Sequence, residues 1–289
     1  MKIVNGVYTS ANIFTDTIEE YAVSQIQMLC DNRAFQGSKI RIMPDVHPGK
    51  VGTIGFTATV GDRILPNVVG IDIGCGITLA RLKQKKTEFQ RLDKVVRENI
   101  PSGFAIRQKK HRRSETFDFS ALYCEKHIDK EKALLSLGTL GGGNHFLELD
   151  VDAQGFLYVA IHTGSRHLGK EVTEYYLNAG QKELKARGEE IPYELTYLED
   201  IWMQRYVTDV QVVQEYARLN RKIILDELVK GMKWKVEEIF DVPHNYVAVV
   251  KGETLIRKGA ISAEAGETVV IPANMKEGIL IGKGLGNAD

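Results

Sequence analysis

Long apolar runs are missing from this sequence. No stretch of the 289 residues is long enough to span a bilayer, and the N-terminal MKIVNGVYTS lacks the apolar core of a secretory leader. Cysteine is scarce: Cys30, Cys75 and Cys124 are too few and too scattered for a disulfide framework. A reduced, cytoplasmic setting is therefore expected, with each thiol either inert or a ligand. Charge of one sign is absent too, since 38 lysines and arginines balance 38 aspartates and glutamates. No global field points to nucleic acid, so any such binding must come from local patches. Internal repeats, low-complexity tracts and linkers are also lacking. What remains is an ordinary globular composition, 43% apolar and 26% charged, able to bury a sizeable core. One mixed α/β (α+β) domain over residues 1–289 is the expectation.

Thr17-Ile18-Glu19-Glu20 has capping-box form, and Ile18, Ala22, Ile26 and Leu29 follow at helical spacing, so a helix should end near Asp31-Asn32. From Lys39 to Leu79, KIRIMPDVHPG, GTIGFTATVGD and ILPNVVGIDIG read as strands joined by tight turns. Thr87 to Asn99 reads as a helix stopped before Pro101. Strand character returns at Phe146–Leu149 and Leu157–Ile161. Residues from about Lys170 to Phe240 look mainly helical, broken near Pro192. Val210, Val213, Ala217, Ile224 and Leu228 form a core-facing stripe there, and Trp202 and Trp234 are expected to pack. Tyr246 to Gly284 alternates as a β-rich segment would. The expected architecture is a β core with a helical insertion near residues 170–240. The one dense basic run, RQKKHRR at 107–113, is either a solvated loop or a phosphate contact through Lys109, Lys110, Arg112 and Arg113.

The stretch GIDIGCG at 70–76 places an acid and a thiol among glycines and branched aliphatics. Residues three apart cannot meet on a flat strand. If the strand ends at Asp72 and turns through Ile73-Gly74, the carboxylate and the thiol converge. Taken alone, this pair suits a capping aspartate beside an inert cysteine. Three histidines change that balance: His145 follows three glycines, His162 closes a strand, and His244 follows Pro243. Together the five donors are of types that divalent metals accept. Thiolate and imidazole suit zinc, while the carboxylate leaves room for manganese or a two-metal site with a bridging thiolate. Glycine-rich turns at Gly141-Gly142-Gly143-Asn144 and Thr163-Gly164-Ser165-Arg166 can aim N–H groups at an anion, with Arg166 adding charge.

In combination, MPDVHPG (43–49), GIDIGCG (70–76), GGGNHFLE (141–148), HTGSR (162–166), HN (244–245) and RKGA (257–260) resemble the RtcB family of RNA ligases, in family order across almost the whole chain. The resemblance implies an RtcB-type catalytic domain and an enzyme joining RNA 3′-phosphate or 2′,3′-cyclic phosphate ends to 5′-hydroxyl ends. It implies two Mn(II) ions, one on Asp72, Cys75 and His145, the other on Cys75, His162 and His244. It further implies GTP as cofactor, with Asn144, Glu148 and Asn245 at nucleotide-contacting positions. From its place beside the glycine-rich turn, Arg166 is the candidate contact for an RNA phosphate. Two other readings stand beside it: a two-metal phosphatase or phosphodiesterase, and a noncatalytic RNA-end-binding protein using the basic run.

The sequence departs from the family pattern in three places. His167 stands where the HTGSRGLG turn has glycine, read here as a surface change. Pro272-Ala273-Asn274-Met275 replaces a PGSM-like stretch, and Ile279 stands at a family serine. The HGAGR motif, whose histidine the family guanylates, occurs nowhere in the 289 residues. The chain is accordingly expected to be a C-terminally shortened member, with no catalytic nucleophile assigned. His47 and His167 are the only conceivable substitutes, and neither sits in such a turn.

Overall fold

The computed structural model describes residues 2–250 and 252–286. In chain order its elements are β1 (Lys2–Asn5), β2 (Ser10–Ile13), α1 (Glu20–Cys30), β3 (Ile40–His47), β4 (Ile54–Val60), β5 (Arg63–Ile64), α2 (Pro66–Val69) and β6 (Gly76–Leu82). There follow α3 (Phe89–Asn99), α4 (Lys130–Ser136), β7 (Phe146–Val151), β8 (Leu157–Thr163), α5 (Arg166–Ala186), β9 (Leu198–Glu199) and α6 (Asp200–Met232). The chain then runs through β10 (Val236–Pro243), β11 (Asn245–Val250), β12 (Glu253–Lys258), β13 (Thr268–Asn274) and β14 (Gly278–Lys283). The mixed α+β class expected from the sequence is the class observed.

Two sheets carry the fold. A six-stranded sheet runs β1-β2-β3-β4-β12-β11, antiparallel except for the β2–β3 pair, and a four-stranded antiparallel sheet runs β10-β6-β8-β7. The helices α5 and α6 are inserted between β8 and β10 of the smaller sheet, but the helical region ends at Met232 and Phe240 lies in β10. Nor is α6 peripheral. Its 33 residues bury Tyr206, Val210, Val213 and Tyr216 in the core under the larger sheet, then Ile224, Leu225, Leu228 and Met232 in the core behind the smaller one. One helix thus joins both cores, and the expected apolar stripe is fully buried.

Two local expectations fail. The helix α1 starts at Glu20 with no side-chain cap, so Thr17 forms no capping box; its N–H instead donates to Thr15 Oγ1. In the segment ILPNVVG only Ile64 is extended, in β5, and Pro66–Val69 are helical: Pro66 at the first helical turn presets φ, and Gly70 at φ 87° ends the helix. The valines there pack into the core, which satisfies their burial without a strand.

Candidate metal centre

Four strand ends meet at one edge of the smaller sheet. Gly76 opening β6 pairs with Thr163 closing β8 and with Pro243 closing β10, while Phe146 opening β7 pairs with His162. Antiparallel pairing thereby brings the turns before β6 and β7 and after β8 and β10 to a single point. Asp72 and Cys75 are the two ends of one such turn, closed by the Cys75 N–H donating to the Asp72 carbonyl at 3.2 Å. Gly74 takes φ 73° inside it, and a Cβ there would also lie 2.8 Å from Ala217 of α6. No strand precedes the turn, yet the carboxylate and thiol converge as expected. Gly164 makes room for the acid, because a Cβ on it would meet Asp72 Oδ1 at 2.2 Å. The His244 N–H donates to the Cys75 carbonyl at 2.8 Å, and the Gly74 N–H donates to the Asn245 carbonyl at 2.7 Å, locking the two turns together.

The five donors predicted from the sequence form one cluster. Asp72, Cys75 and His145 make one triad and Cys75, His162 and His244 a second, the ligand atoms of each within 4.8 Å of one another. Cys75 Sγ lies 3.5 Å from His145 Nε2 and 3.3 Å from His162 Nε2. His145 Nε2 is 2.9 Å from Asp72 Oδ2, and His162 Nε2 is 3.2 Å from His244 Nε2. Donors sharing one tetrahedral ion at ordinary bond lengths lie roughly 3.3 to 3.7 Å apart, close to these separations.

Hydrogen bonding decides what the cluster can hold. His145 Nδ1 lies 3.0 Å from the Leu140 carbonyl and His162 Nδ1 lies 3.0 Å from the Asn144 carbonyl. A carbonyl only accepts, so each Nδ1 carries a proton and donates, leaving a lone pair on Nε2 of the neutral ring. Those lone pairs face a carboxylate, a sulfur and another imidazole. Such an arrangement is repulsive unless a proton or a cation lies among the donors. Protons are poor occupants: burial, then the neighbouring His145, holds His162 down to about 4, and burial with His162 beside it holds His244 down to about 3. Burial alone would raise the Asp72 carboxyl, but a hydrogen-bonding positive charge at the His145 Nε2 position, the place a bound cation would take, outweighs it and leaves its pKa lowered. Burial and the Asp72 charge push the Cys75 thiol well above its ordinary value. The donor chemistry fits divalent cations, and thiolate, imidazole and carboxylate together accommodate zinc, manganese and their neighbours.

The other nominated residues are placed less uniformly. Asn144 is exposed at the rim, directly before His145. Glu148 lies on β7, half-buried, its carboxyl raised by burial and then by Asp150. Asn245 Nδ2 donates to the Asp72 carbonyl at 3.3 Å and its Oδ1 accepts from the Gly259 N–H at 2.8 Å, so its carboxamide braces the metal turn. Arg166 opens α5 at φ 54°, a conformation uncommon for a side-chain-bearing residue. Its guanidinium bonds Thr139 Oγ1 and the Gly103 carbonyl, filling space that a Cβ on Gly141 would occupy. In the basic run Lys110 pairs with Glu131 at 2.5 Å and Arg113 with Asp226 at 2.6 Å, whereas Lys109 and Arg112 are exposed. His167 is half-buried and no mere surface change: its Nε2 is 3.0 Å from Glu171 and 3.1 Å from Lys132.

Sequence reasoning missed the support behind the cluster. Arg221 of α6, 1% exposed, donates from Nη1 to the carbonyls of Gly74 and Thr163 at 2.7 and 2.9 Å. Asn220 beside it accepts from the N–H groups of Gly138 and Thr139 and donates to the Gly164 carbonyl. Lys258, in the RKGA stretch, is buried with Nζ on the Val51 carbonyl at 2.9 Å, and burial lowers its pKa to about 8. Arg221 and Asn220 have no local signal in sequence beyond residue type, whereas Lys258 lies in a stretch already singled out but without an assigned role.

Comparison with known proteins gives the family. The family model described as tRNA-splicing ligase RtcB matches residues 29–125 and 119–289. The chain belongs to the RtcB family. RNA-splicing ligase RtcB of Escherichia coli K12 is 30% identical, and RNA-splicing ligase RtcB1 of another Escherichia coli strain 31%; each alignment covers 86% of this chain and 71% of the relative. The tRNA-splicing ligase RtcB of Archaeoglobus fulgidus is 27% identical, with 95% of this chain and 74% of the relative covered. The RtcB relatives are thus named as RNA ligase enzymes. Among the described residues no helix is long and apolar enough to cross a membrane.

Proposed function

We propose that this RtcB-family chain serves a GTP- and Mn(II)-dependent RNA ligase that joins 3′-phosphate or 2′,3′-cyclic phosphate ends to 5′-hydroxyl ends. The observation that carries the reading is the pair of donor triads sharing Cys75. Asp72, Cys75 and His145 would hold one ion and Cys75, His162 and His244 the other. When bound, the two cations would neutralise phosphate oxygens and keep the attacking and leaving groups in line. Arg166, anchored on Thr139 beside the cluster, adds a fixed positive charge for the RNA 3′-phosphate. Asn144, Glu148 and Asn245 are the candidate nucleotide contacts, and Lys109, Lys110, Arg112 and Arg113 the candidate contacts along the RNA backbone.

The step closest to the metals is attack of the 5′-hydroxyl on a 3′-phosphate already bearing GMP. A P–O bond forms, GMP leaves, and the hydroxyl proton passes to solvent. Residues 1–289 contain no HGAGR turn, so a polypeptide of these residues is expected not to capture GMP from labelled GTP. It should nevertheless join RNA pre-activated with GMP at its 3′ end, in Mn(II), and lose that ability on chelation or in Cys75→Ala. Release of phosphate from a 3′-phosphate end without GTP, and no joining of the activated RNA, would favour the phosphatase or phosphodiesterase reading. RNA binding that survives chelation, with neither reaction, would favour a noncatalytic end-binding protein.

A further inference from the structure

Beside the metal cluster lies a loop that the ligand set does not use. Its first residue, Pro101, accepts the Leu140 N–H at 2.8 Å, and the Gly103 N–H donates to the Gly141 carbonyl at 2.8 Å. Arg107 closes the far side, its guanidinium on the carbonyls of Asn99, Leu137 and Gly138. Arg166 donates to the Gly103 carbonyl at 3.4 Å. The loop is therefore pinned to the glycine turn whose Leu140 carbonyl orients the His145 ring. At its tip, following Gly103 at φ 62°, Phe104 stands fully exposed. Leaving a phenylalanine ring in water forgoes the favourable free energy of burying it. Among the described residues no packing role offsets that. On the loop's other flank an open groove of about 960 Å³ carries Gln108 and Lys109, with Glu98 and an Arg97–Asp93 ion pair at 2.8 Å also lining it.

We propose that Phe104 is a stacking platform for a nucleobase of single-stranded RNA within a few nucleotides of the end held at the metals. The inference rests on the RNA-end reading above and deepens it. A rigidly held aromatic accepts any base by its π-face, without sequence preference, and nearby cations track the phosphates. Both elements are present: a ring on a pinned loop, with Arg166 on the metal side and Lys109 on the groove side. The strand would run from the cluster past Phe104 toward the groove.

The test compares single-stranded RNA bearing a 3′-phosphate with the same RNA made abasic at each of its last three positions in turn. Stacking of one base is worth about 1 to 3 kcal/mol, so Phe104→Ala should weaken binding of intact RNA roughly 5- to 150-fold. Phe104→Trp should retain binding, and one of the abasic RNAs should show no further loss with Phe104→Ala. The salt slope should be unchanged by Phe104→Ala but reduced by Lys109→Ala, because only the lysine neutralises a phosphate. Metal content, unaffected in all variants, excludes misfolding. Equal binding of intact RNA by wild type and Phe104→Ala, or an equal loss on every abasic RNA, would overturn the inference alone. Failure of the wild-type protein to bind RNA at all would overturn the RNA-end reading and the inference with it.

Discussion

Arg221 and Asp241 form a bidentate ion pair, with Nε and Nη2 donating to the two carboxylate oxygens at 2.8 and 2.9 Å, directly behind the Asp72–Cys75 turn of the donor cluster. The pair joins α6 to β10, and the remaining guanidinium nitrogen holds the carbonyls of Gly74 and Thr163, one residue from Cys75 and one from His162. Burial alone would raise the Asp241 carboxyl, but Arg221 holds it below its ordinary value. Removing one partner of a buried pair leaves the other uncompensated, at a cost of about 3 to 5 kcal/mol. Arg221→Ala should therefore lower unfolding stability by that order and also weaken metal retention in the fraction that folds. Arg221→Lys should recover part of the stability but not the two-carbonyl brace. Denaturant unfolding together with metal content checks both. A variant as stable and as metal-rich as wild type would show that the brace is dispensable.

Arg166 and the basic run should behave differently. Arg166 touches the turn that carries His145, so Arg166→Ala should weaken RNA with a 3′-phosphate more than RNA with a 3′-hydroxyl, by about tenfold for one charge-assisted contact. Neutralising Lys109, Lys110, Arg112 and Arg113 together should weaken both RNAs alike and flatten the salt dependence. Lys110 and Arg113 already face acids, so Lys109 and Arg112 should carry most of that effect. Identical profiles for the two sets of substitutions would reverse these assignments.

Metal uptake should depend on pH through the thiol. Burial keeps the Cys75 proton on at neutral pH in the metal-free protein, whereas His162 and His244, at about 4 and about 3, are already neutral. Loading between roughly pH 6 and 8 should expel about one proton per protein, and apparent affinity should rise about tenfold per pH unit. Titration calorimetry in buffers of different ionisation enthalpy counts that proton. No release would mean the thiolate is preformed. Stability of the metal-free protein has its own window. The unfolded histidines titrate near the ordinary value of about 6.5 and the folded ones below it, so their contribution is complete above about 6.5. It is lost as pH falls through that value toward about 4 and 3.

The donor cluster was legible because its residues stand in or next to turns close to glycine or proline, where sequence punctuation is strongest. Asp72 and Cys75 flank Gly74, His145 follows Gly143 and Asn144, and His244 follows Pro243. The supporting shell was not. Arg221 and Asn220 lie in the middle of α6, where a buried arginine and a solvated one look alike until the helix is placed against its sheet. The Pro66–Val69 helix was hidden for a different reason: its branched residues favour a strand, and burial in the core served them equally well.

The central claim is that Cys75 serves two cations at once, and metal content across single substitutions tests it most directly. After loading with Mn(II) or Zn(II) and removal of excess, elemental analysis should find two ions in wild type and in Cys30→Ala and Cys124→Ala, whose thiols are buried away from the cluster. Asp72→Ala and His244→Ala should each retain about one ion, since each acid or imidazole belongs to a single triad, while Cys75→Ala should lose most of both. Equal metal in wild type and Cys75→Ala, or a single ion in the fully loaded wild-type protein, would contradict a shared thiolate.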